Sequence, residues 1–276
     1  MLKFSFNSTT LREIDLFEAL GRIRDAGYDA VELMLNHTHL HPLHAQRQRL
    51  AQIRDFVRSE NITISAIAAG GDNLLSAEPY QPTFFDPDPK GRAQRLDLLV
   101  RSIEIAEFFG VPVLDFNSGP IHRDVPLERS WDFLVQGVDW LLSHGGDVIL
   151  AMEPEPNFLV GTTVDAIRLI QQLNNPRLLM NTDIGHVNVS EDDCYGAIER
   201  AMPYTRNMHI EDIKGRVHHH EIPGEADIDF DRVFSILHKS GYSHYIAVEL
   251  HHHNDRWQRA LDESLAYLNR YRMAHA

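Results

Sequence analysis

The chain has 276 residues, of which 43% are hydrophobic, and this length suits one large domain over residues 1–276. Its formal net charge of −14 opposes binding to the phosphate backbone of nucleic acid, which requires clustered lysine and arginine. The single cysteine, Cys194, cannot form an internal disulfide, and no apolar run reaches the roughly 18 residues of a membrane helix.

Short apolar runs alternate with longer helical patterns in the first half of the chain. The predicted strands are 2–7, 30–35, 62–68 and 111–116, and the predicted helices are 11–26, 43–60, 91–109 and 127–144. Gly27 and Gly110 follow the first and third helices, where glycine commonly ends a helix. The loop over 70–90 is rich in proline and longer than most connections, which predicts a lid over an active site.

The same alternation continues in the second half of the chain. The predicted strands are 147–153, 177–183, 205–211 and 245–250, with helices after Thr162 or Thr163 and over 191–201, 229–240 and 255–272. Nearly continuous apolar strands indicate a parallel sheet that is covered on both faces. Eight repeats of about 30 residues therefore predict an α/β fold of the (β/α)8 type, a single TIM barrel. No GxGxxG follows the first strand, which opposes a dinucleotide-binding sheet.

Acidic residues and one histidine stand at the ends of the last four predicted strands. These residues are Glu153, Asp183, His209 and Glu249. The active site of a TIM barrel lies at the C-terminal ends of its strands, so the four side chains can converge on one point. Carboxylate and imidazole ligands without a thiolate suit one divalent metal ion; we expect Mn²⁺, with Mg²⁺, Co²⁺ or Zn²⁺ as alternatives. Glu32, at the end of the second predicted strand, is a further candidate for the pocket and for substrate binding.

Several segments of the second half together resemble one family. The chain resembles the xylose-isomerase-like TIM barrel superfamily, with an AP-endonuclease-2-like fold, in the branch of sugar and sugar-phosphate isomerases and epimerases that contains the ketose 3-epimerases. The segments that carry the resemblance are Glu153-Pro154, Asp183-x-x-His186, His209 in MHIED, Arg216, PGEADIDF over 223–230, and Glu249.

The resemblance implies a role for each matching residue. The four residues at the strand ends would bind the metal, and Glu153 and Glu249 would also be the catalytic acid-base pair on opposite sides of the substrate. His186 and Arg216 would contact substrate oxygens. A metal that polarises a carbonyl makes the neighbouring proton removable through an enediolate, and a carboxylate on each face can take and return that proton. The predicted enzyme is a metal-dependent isomerase or epimerase of a ketose, a sugar phosphate or a related polyol.

The sequence of this chain departs from the motifs of related proteins at two places. Many relatives read His-x-Lys-Asp at the seventh strand, whereas this chain has Glu211 in place of the lysine. Endonuclease IV, a DNA-repair relative, needs histidine ligands after the third and fourth strands. In this chain Asn117 occupies the position where the fourth-strand histidine ligand would be expected. The absence of that histidine opposes a nuclease with three zinc ions.

Two histidine runs, at 218–220 and 251–253, follow the last two predicted strands. A polar rim explains them most simply. Alternatively, one member of each run faces the pocket, where it binds substrate oxygen or tunes a proton transfer. A second metal is a weaker alternative.

Other functions and properties are also predicted. One alternative is a lyase or dehydratase that uses the same metal and carboxylates, as in relatives that dehydrate inososes or dehydroshikimate. Another is a non-catalytic protein that binds metal and sugar. The N-terminal sequence lacks the basic and apolar segments of a signal peptide, so we expect a soluble, cytoplasmic protein with a small sugar or polyol as its partner. The family analogy adds a homo-oligomer, and no nucleic-acid or membrane partner is expected.

Overall fold

The computed structural model describes residues 1–70 and 73–272. Eight parallel strands form a closed barrel in chain order, and the last strand pairs with the first, which confirms the predicted fold. The strands are β1 Lys3–Asn7, β2 Ala30–Met34, β3 Ile64–Ala68, β4 Val113–Asn117, β5 Ile149–Glu153, β6 Leu178–Asp183, β7 Thr205–Ile210 and β8 Tyr245–Val248.

Helices connect the strands and surround the barrel. They are α1 Leu16–Ala26, α2 Arg47–Ser59, α3 Pro89–Phe109, α4 Leu127–Leu142, α5 Thr163–Leu173, α6 Ile184–Ser190, α7 Cys194–Ala201, α8 Phe230–Ser240 and α9 Trp257–Leu268. Short 3₁₀ turns occupy Ser8–Leu11, Pro42–His44, Met202–Tyr204, Asn254–Arg256 and Asn269–Tyr271. No helix in these described ranges is long and apolar enough to cross a membrane.

Two helices begin where the sequence pattern did not place them, because an aspartate caps each one. The predicted helix over 11–26 begins only at Leu16, since the Asp15 carboxylate accepts hydrogen bonds from the backbone of Phe17 and Glu18. A whole helix, α6, precedes the predicted helix over 191–201. It starts directly after β6 because the Asp183 carboxylate accepts the backbone N–H of His186 at 2.7 Å.

The barrel interior is apolar at its base and polar at its upper end. Small side chains fill the base, where Ala66, Val113 and Ala151 form a separate apolar cluster. Side chains two residues further along a strand lie on the same face. Asp115 and Glu153 therefore follow Val113 and Ala151 upward, and both are buried. The main apolar core lies between the strands and the helices, so the polar upper layer is held by a rigid scaffold.

Asp212 organises the long loop between β7 and α8. Its buried carboxylate accepts hydrogen bonds from four backbone N–H groups at 2.8–3.0 Å. The donors belong to Ile213, Gly224, Ala226 and Ile228. This one side chain fixes both ends of the loop that carries the first histidine run.

We expect Asp212→Asn to lower the free energy of unfolding by about 2–4 kcal/mol, because an amide nitrogen then faces two backbone donors. Urea denaturation measures the loss. Asp227→Asn is the matched control, since exposed Asp227 accepts a single backbone bond, from Gly215 at 2.7 Å. Equal stability of the two variants would contradict the role given to Asp212.

Candidate active site

The four predicted metal ligands lie together at the upper end of the barrel. Glu153 and Asp183 are the last residues of β5 and β6, His209 pairs in register with Asp183, and Glu249 follows β8. All four are buried, and one potential ligand atom of each lies within 4.8 Å of the others. Strand-end positions one barrel unit apart therefore converge as the sequence predicted.

His209 lies at the centre of this group. Its Nδ1 atom is 2.9 Å from Glu153 Oε1, 3.7 Å from Glu249 Oε2 and 3.8 Å from Asp183 Oδ2. Burial opposes a charged ring, but the surrounding carboxylates, Glu32 first, raise the pKa of His209 well above its ordinary value. The cluster therefore stabilises a positive charge at this point.

Glu32 holds the other side of the His209 ring. Its Oε2 atom is 2.7 Å from His209 Nε2, and its two oxygens accept hydrogen bonds from Asn7 at 2.9 Å and Asn207 at 2.7 Å. Burial opposes ionisation of Glu32, but the His209 charge and these bonds lower its pKa. Glu32 lies in the middle of β2 rather than at its end, and its side chain is fully buried against His209. There it orients the imidazole with Nδ1 toward the three carboxylates.

Asp183 provides a test of whether these residues fit a metal. Burial opposes its ionisation, but His186 and His220 hold the pKa of Asp183 below its usual range. Its Oδ2 atom is buried and accepts no hydrogen bond from the described residues. An ionised buried oxygen without a donor is costly, and a cation would satisfy it. The residues present thus fit one divalent ion with mixed oxygen and nitrogen ligands.

A cavity opens above the cluster. Its lining comes from seven of the eight strand ends and the loops after them: Thr9, Arg12, Met34, Gly70, Tyr80, Asp115, Asn117, Glu153, Glu155, His186, Glu249 and His251. Tyr80 belongs to the loop predicted as a lid, and its ring packs 4.9 Å from the ring of Phe158. Part of that loop therefore covers the cavity, while Gly71 and Asp72 lie outside the described residues.

His186 faces the cavity as a neutral imidazole. Its Nδ1–H donates to the Pro154 carbonyl at 3.0 Å, and burial lowers its pKa to about 4. Its Nε2 atom therefore turns toward Glu155 Oε2, 3.7 Å away, and Asp183 Oδ2, 3.6 Å away. This position is compatible with the predicted contact to a substrate oxygen.

Arg216 is not brought to the cavity. Its exposed guanidinium donates to Asp192 Oδ1 at 2.9 Å and to the Val189 carbonyl at 3.0 Å. Its predicted contact with substrate would require the loop after β7 to move, and it stays a prediction.

The histidine runs are divided between rim and interior. His219 and His252 stack with ring centroids 4.4 Å apart and form part of the rim. His251 lines the cavity, and its Nδ1 atom is 4.0 Å from Glu249 Oε2. His220 is fully buried and donates from Nδ1 to the Glu249 carbonyl at 2.9 Å. The interpretation of both runs as a simple rim is therefore wrong for His220 and His251.

Comparison with known proteins places this geometry in a family. The family described as xylose isomerase-like TIM barrel matches residues 20–271. The chain belongs to this family. Its sequence is 27% identical over 242 residues to L-ribulose-5-phosphate 3-epimerase UlaE of Salmonella paratyphi B, which covers 84% of this chain and 81% of that protein.

Solved structures share the fold across nearly the whole chain. D-psicose 3-epimerase from Clostridium cellulolyticum H10 superposes with a TM-score of 0.80 at 18% identity, covering 98% of both chains. The IOLI protein, described with a bound zinc atom, gives a TM-score of 0.81 at 19% identity, covering 98% of this chain and 99% of the other. At these identities the likeness extends to the barrel architecture.

Three buried acids near the cluster were not predicted as site residues from the sequence: Asp115, Glu155 and Glu211. Burial, above all, raises the pKa of each well above its ordinary value. Glu211 lies against Asp183 and fits there because Gly185 has no side chain; a Cβ on Gly185 would lie 1.8 Å from Glu211 Oε1. Glu155 and Glu211 each follow a predicted ligand by two residues, and this spacing was the available signal. Asp115 had no comparable signal inside its apolar run.

We expect Glu32→Gln to weaken Mn²⁺ binding by about 10–100-fold, the usual cost of losing a residue that orients a metal ligand. Loss of the Glu32 charge also lowers the pKa of His209, which makes the ring easier to deprotonate for metal binding. This effect is smaller than the loss of affinity, because the Glu32 charge attracts a divalent ion more strongly than it attracts a proton. Calorimetric titration measures the affinity, and Glu18→Gln, at an exposed pair with Arg22, is the control. Unchanged affinity in Glu32→Gln would show that His209 needs no such partner.

Proposed function

We propose that this protein is a divalent-metal-dependent epimerase of a ketose or ketose phosphate. It removes a proton from the carbon beside the carbonyl and returns a proton to the opposite face of that carbon. The observation that carries the proposal is the placement of Glu153 and Glu249. They approach His209 Nδ1 from β5 and from the end of β8, at 2.9 and 3.7 Å, and both line the cavity. The activity named for the Salmonella relative supports the same reaction type.

The metal would be held by Glu153, Asp183, His209 and Glu249. When bound, it would polarise the substrate carbonyl and so acidify the neighbouring C–H bond. We propose Mn²⁺, with Mg²⁺, Co²⁺ and Zn²⁺ as alternatives that a metal analysis of the purified protein distinguishes. The zinc described in the IOLI structure supports a divalent ion in this fold.

Glu153 is suited to accept and return a proton. Its Oε1 atom accepts the side-chain N–H of Asn181 at 3.0 Å, which fixes the carboxylate plane. Burial and the charge of Asp115 raise the pKa of Glu153 well above its ordinary value. A carboxylate with a raised pKa binds a proton readily at neutral pH and can release it again.

Glu249 would work on the other face of the substrate. Its Oε1 atom lies 3.4 Å from Asn7 Nδ2, and its backbone carbonyl accepts the His220 ring N–H. With one carboxylate on each face, one removes the proton and the other delivers a proton from the opposite side, which inverts the carbon. His186 would orient a substrate oxygen beside this pair.

The reaction is tested with D-psicose, D-tagatose, D-fructose and L-ribulose 5-phosphate in deuterated water with Mn²⁺. Epimerisation predicts a product heavier by one deuterium on the carbon beside the carbonyl. Loss of water from the substrate would indicate the lyase alternative. Binding without any deuterium exchange would indicate the non-catalytic alternative. A cytoplasmic location and a homo-oligomeric state remain predictions.

We expect Glu153→Gln and Glu249→Gln each to lower kcat by about 10²–10⁴-fold at saturating Mn²⁺, because glutamine keeps an oxygen ligand but cannot accept the proton. Asp183→Asn is the control, because Asp183 is assigned to the metal and caps α6 but is not assigned to proton transfer. Its rate should recover in part as Mn²⁺ is raised, as followed by steady-state kinetics. Full recovery of both glutamine variants with excess metal would place the proton transfer on another group.

A further inference from the structure

Arg95, on α3, is a buried cation without an acidic partner in residues 1–70 and 73–272. It is 2% exposed, and burial lowers its pKa to about 10, so it stays charged at neutral pH. Its Nη2 atom donates to the Gly70 carbonyl and to Asn117 Oδ1, each at 3.3 Å, while Nε has no hydrogen-bond partner among the described residues. Burial of a charge with so few hydrogen-bond partners costs free energy, so we expect Arg95 to have a function that offsets this cost.

The guanidinium determines which way the Asn117 amide points. Arginine only donates hydrogen bonds, so Asn117 must present its oxygen to Arg95 and turn its NH₂ group away. Gly70 allows this orientation, because a Cβ at that position would lie 2.7 Å from Asn117 Nδ2. Gly70 and Asn117 both line the cavity. The amide N–H groups therefore face Gly70, at the wall of the cavity in which a substrate would lie.

The surroundings of Asn117 suit a sugar hydroxyl. Asn117 pairs in register with Glu153, and Asp115 lies two residues earlier on the same face of β4. Asp115 Oδ1 is buried without a hydrogen-bond partner among the described residues. A hydroxyl can donate to a carboxylate and accept from an amide at the same time. Asn117 and Asp115 both line this part of the cavity, so a hydroxyl bound there has polar side chains as neighbours.

We propose that Asn117 binds a hydroxyl of the ketose chain beyond the carbon on which Glu153 acts, and that Arg95 is its positioning residue. The inference rests on the proposed function and names the part of the substrate that this wall of the cavity recognises. Because β4 and β6 flank β5, Asn117 and His186 lie on opposite sides of Glu153. The substrate then extends across the cavity, with one end at His186 and the other at Asn117.

The test is calorimetric binding of D-psicose and its 4-, 5- and 6-deoxy derivatives to the Mn²⁺-loaded protein. Wild type should bind one deoxy derivative about 3–10-fold more weakly than D-psicose, the range for one neutral hydrogen bond. This difference should vanish in Asn117→Leu and shrink in Arg95→Met. Gly70→Ala, which displaces the amide without changing Arg95, should also reduce it and serves if Arg95→Met does not fold.

Arg177→Met is the control for loss of a guanidinium that is half-buried and bonded to backbone carbonyls away from the cavity. Arg177 donates to the carbonyls of Leu142, Gly145 and Val148 at the other end of the barrel. The Arg177→Met variant should have a lower melting temperature, and the ratio of its affinities for D-psicose and for the deoxy derivative should stay as in wild type. An unchanged ratio in Asn117→Leu, or equal binding of all derivatives to wild type, would overturn the inference. Absence of any ketose binding to wild type would instead be a failure of the proposed function itself.

Discussion

The contact between Glu32 and His209 is the interaction on which the upper end of the barrel depends. Closing eight strands forces several carboxylates into one buried layer, where their mutual repulsion and desolvation oppose folding. A positive charge at the centre offsets both effects. His209 can provide it only while Glu32, held by two asparagines, keeps the ring turned toward the three neighbouring acids. A divalent ion would fulfil the same electrostatic requirement more strongly.

The acids of this layer differ in their access to the cavity. Glu32 is fully buried, has both oxygens hydrogen bonded, and contacts the His209 imidazole. Glu153 and Glu249 line the cavity, where they can reach a substrate. His186 on α6 and His251 after β8 add neutral imidazoles to the cavity wall. Sugar oxygens bind well to such mixed donors and acceptors because each hydroxyl can serve as both.

Periodicity and spacing predicted the barrel and the four converging residues, because parallel strands must end at one edge and the four residues recur about once per barrel unit. Contacts that depend on tertiary packing could not be predicted in the same way. The sequence placed Glu32 at a strand end, although it lies in the middle of β2 and contacts His209 on β7. It also missed Asp115, which an apolar run conceals. The location of Arg216 depends on a loop conformation that strand periodicity does not determine.

The most direct measurement of the central claim is anomalous diffraction from crystals of the protein grown with Mn²⁺. The account predicts one strong peak within about 2.0–2.6 Å of oxygens from Glu153, Asp183 and Glu249 and of Nδ1 of His209. A fully occupied ion elsewhere, with His209 still bonded to Glu153, would contradict it. So would crystals saturated with Mn²⁺ in which these four side chains bind no ion.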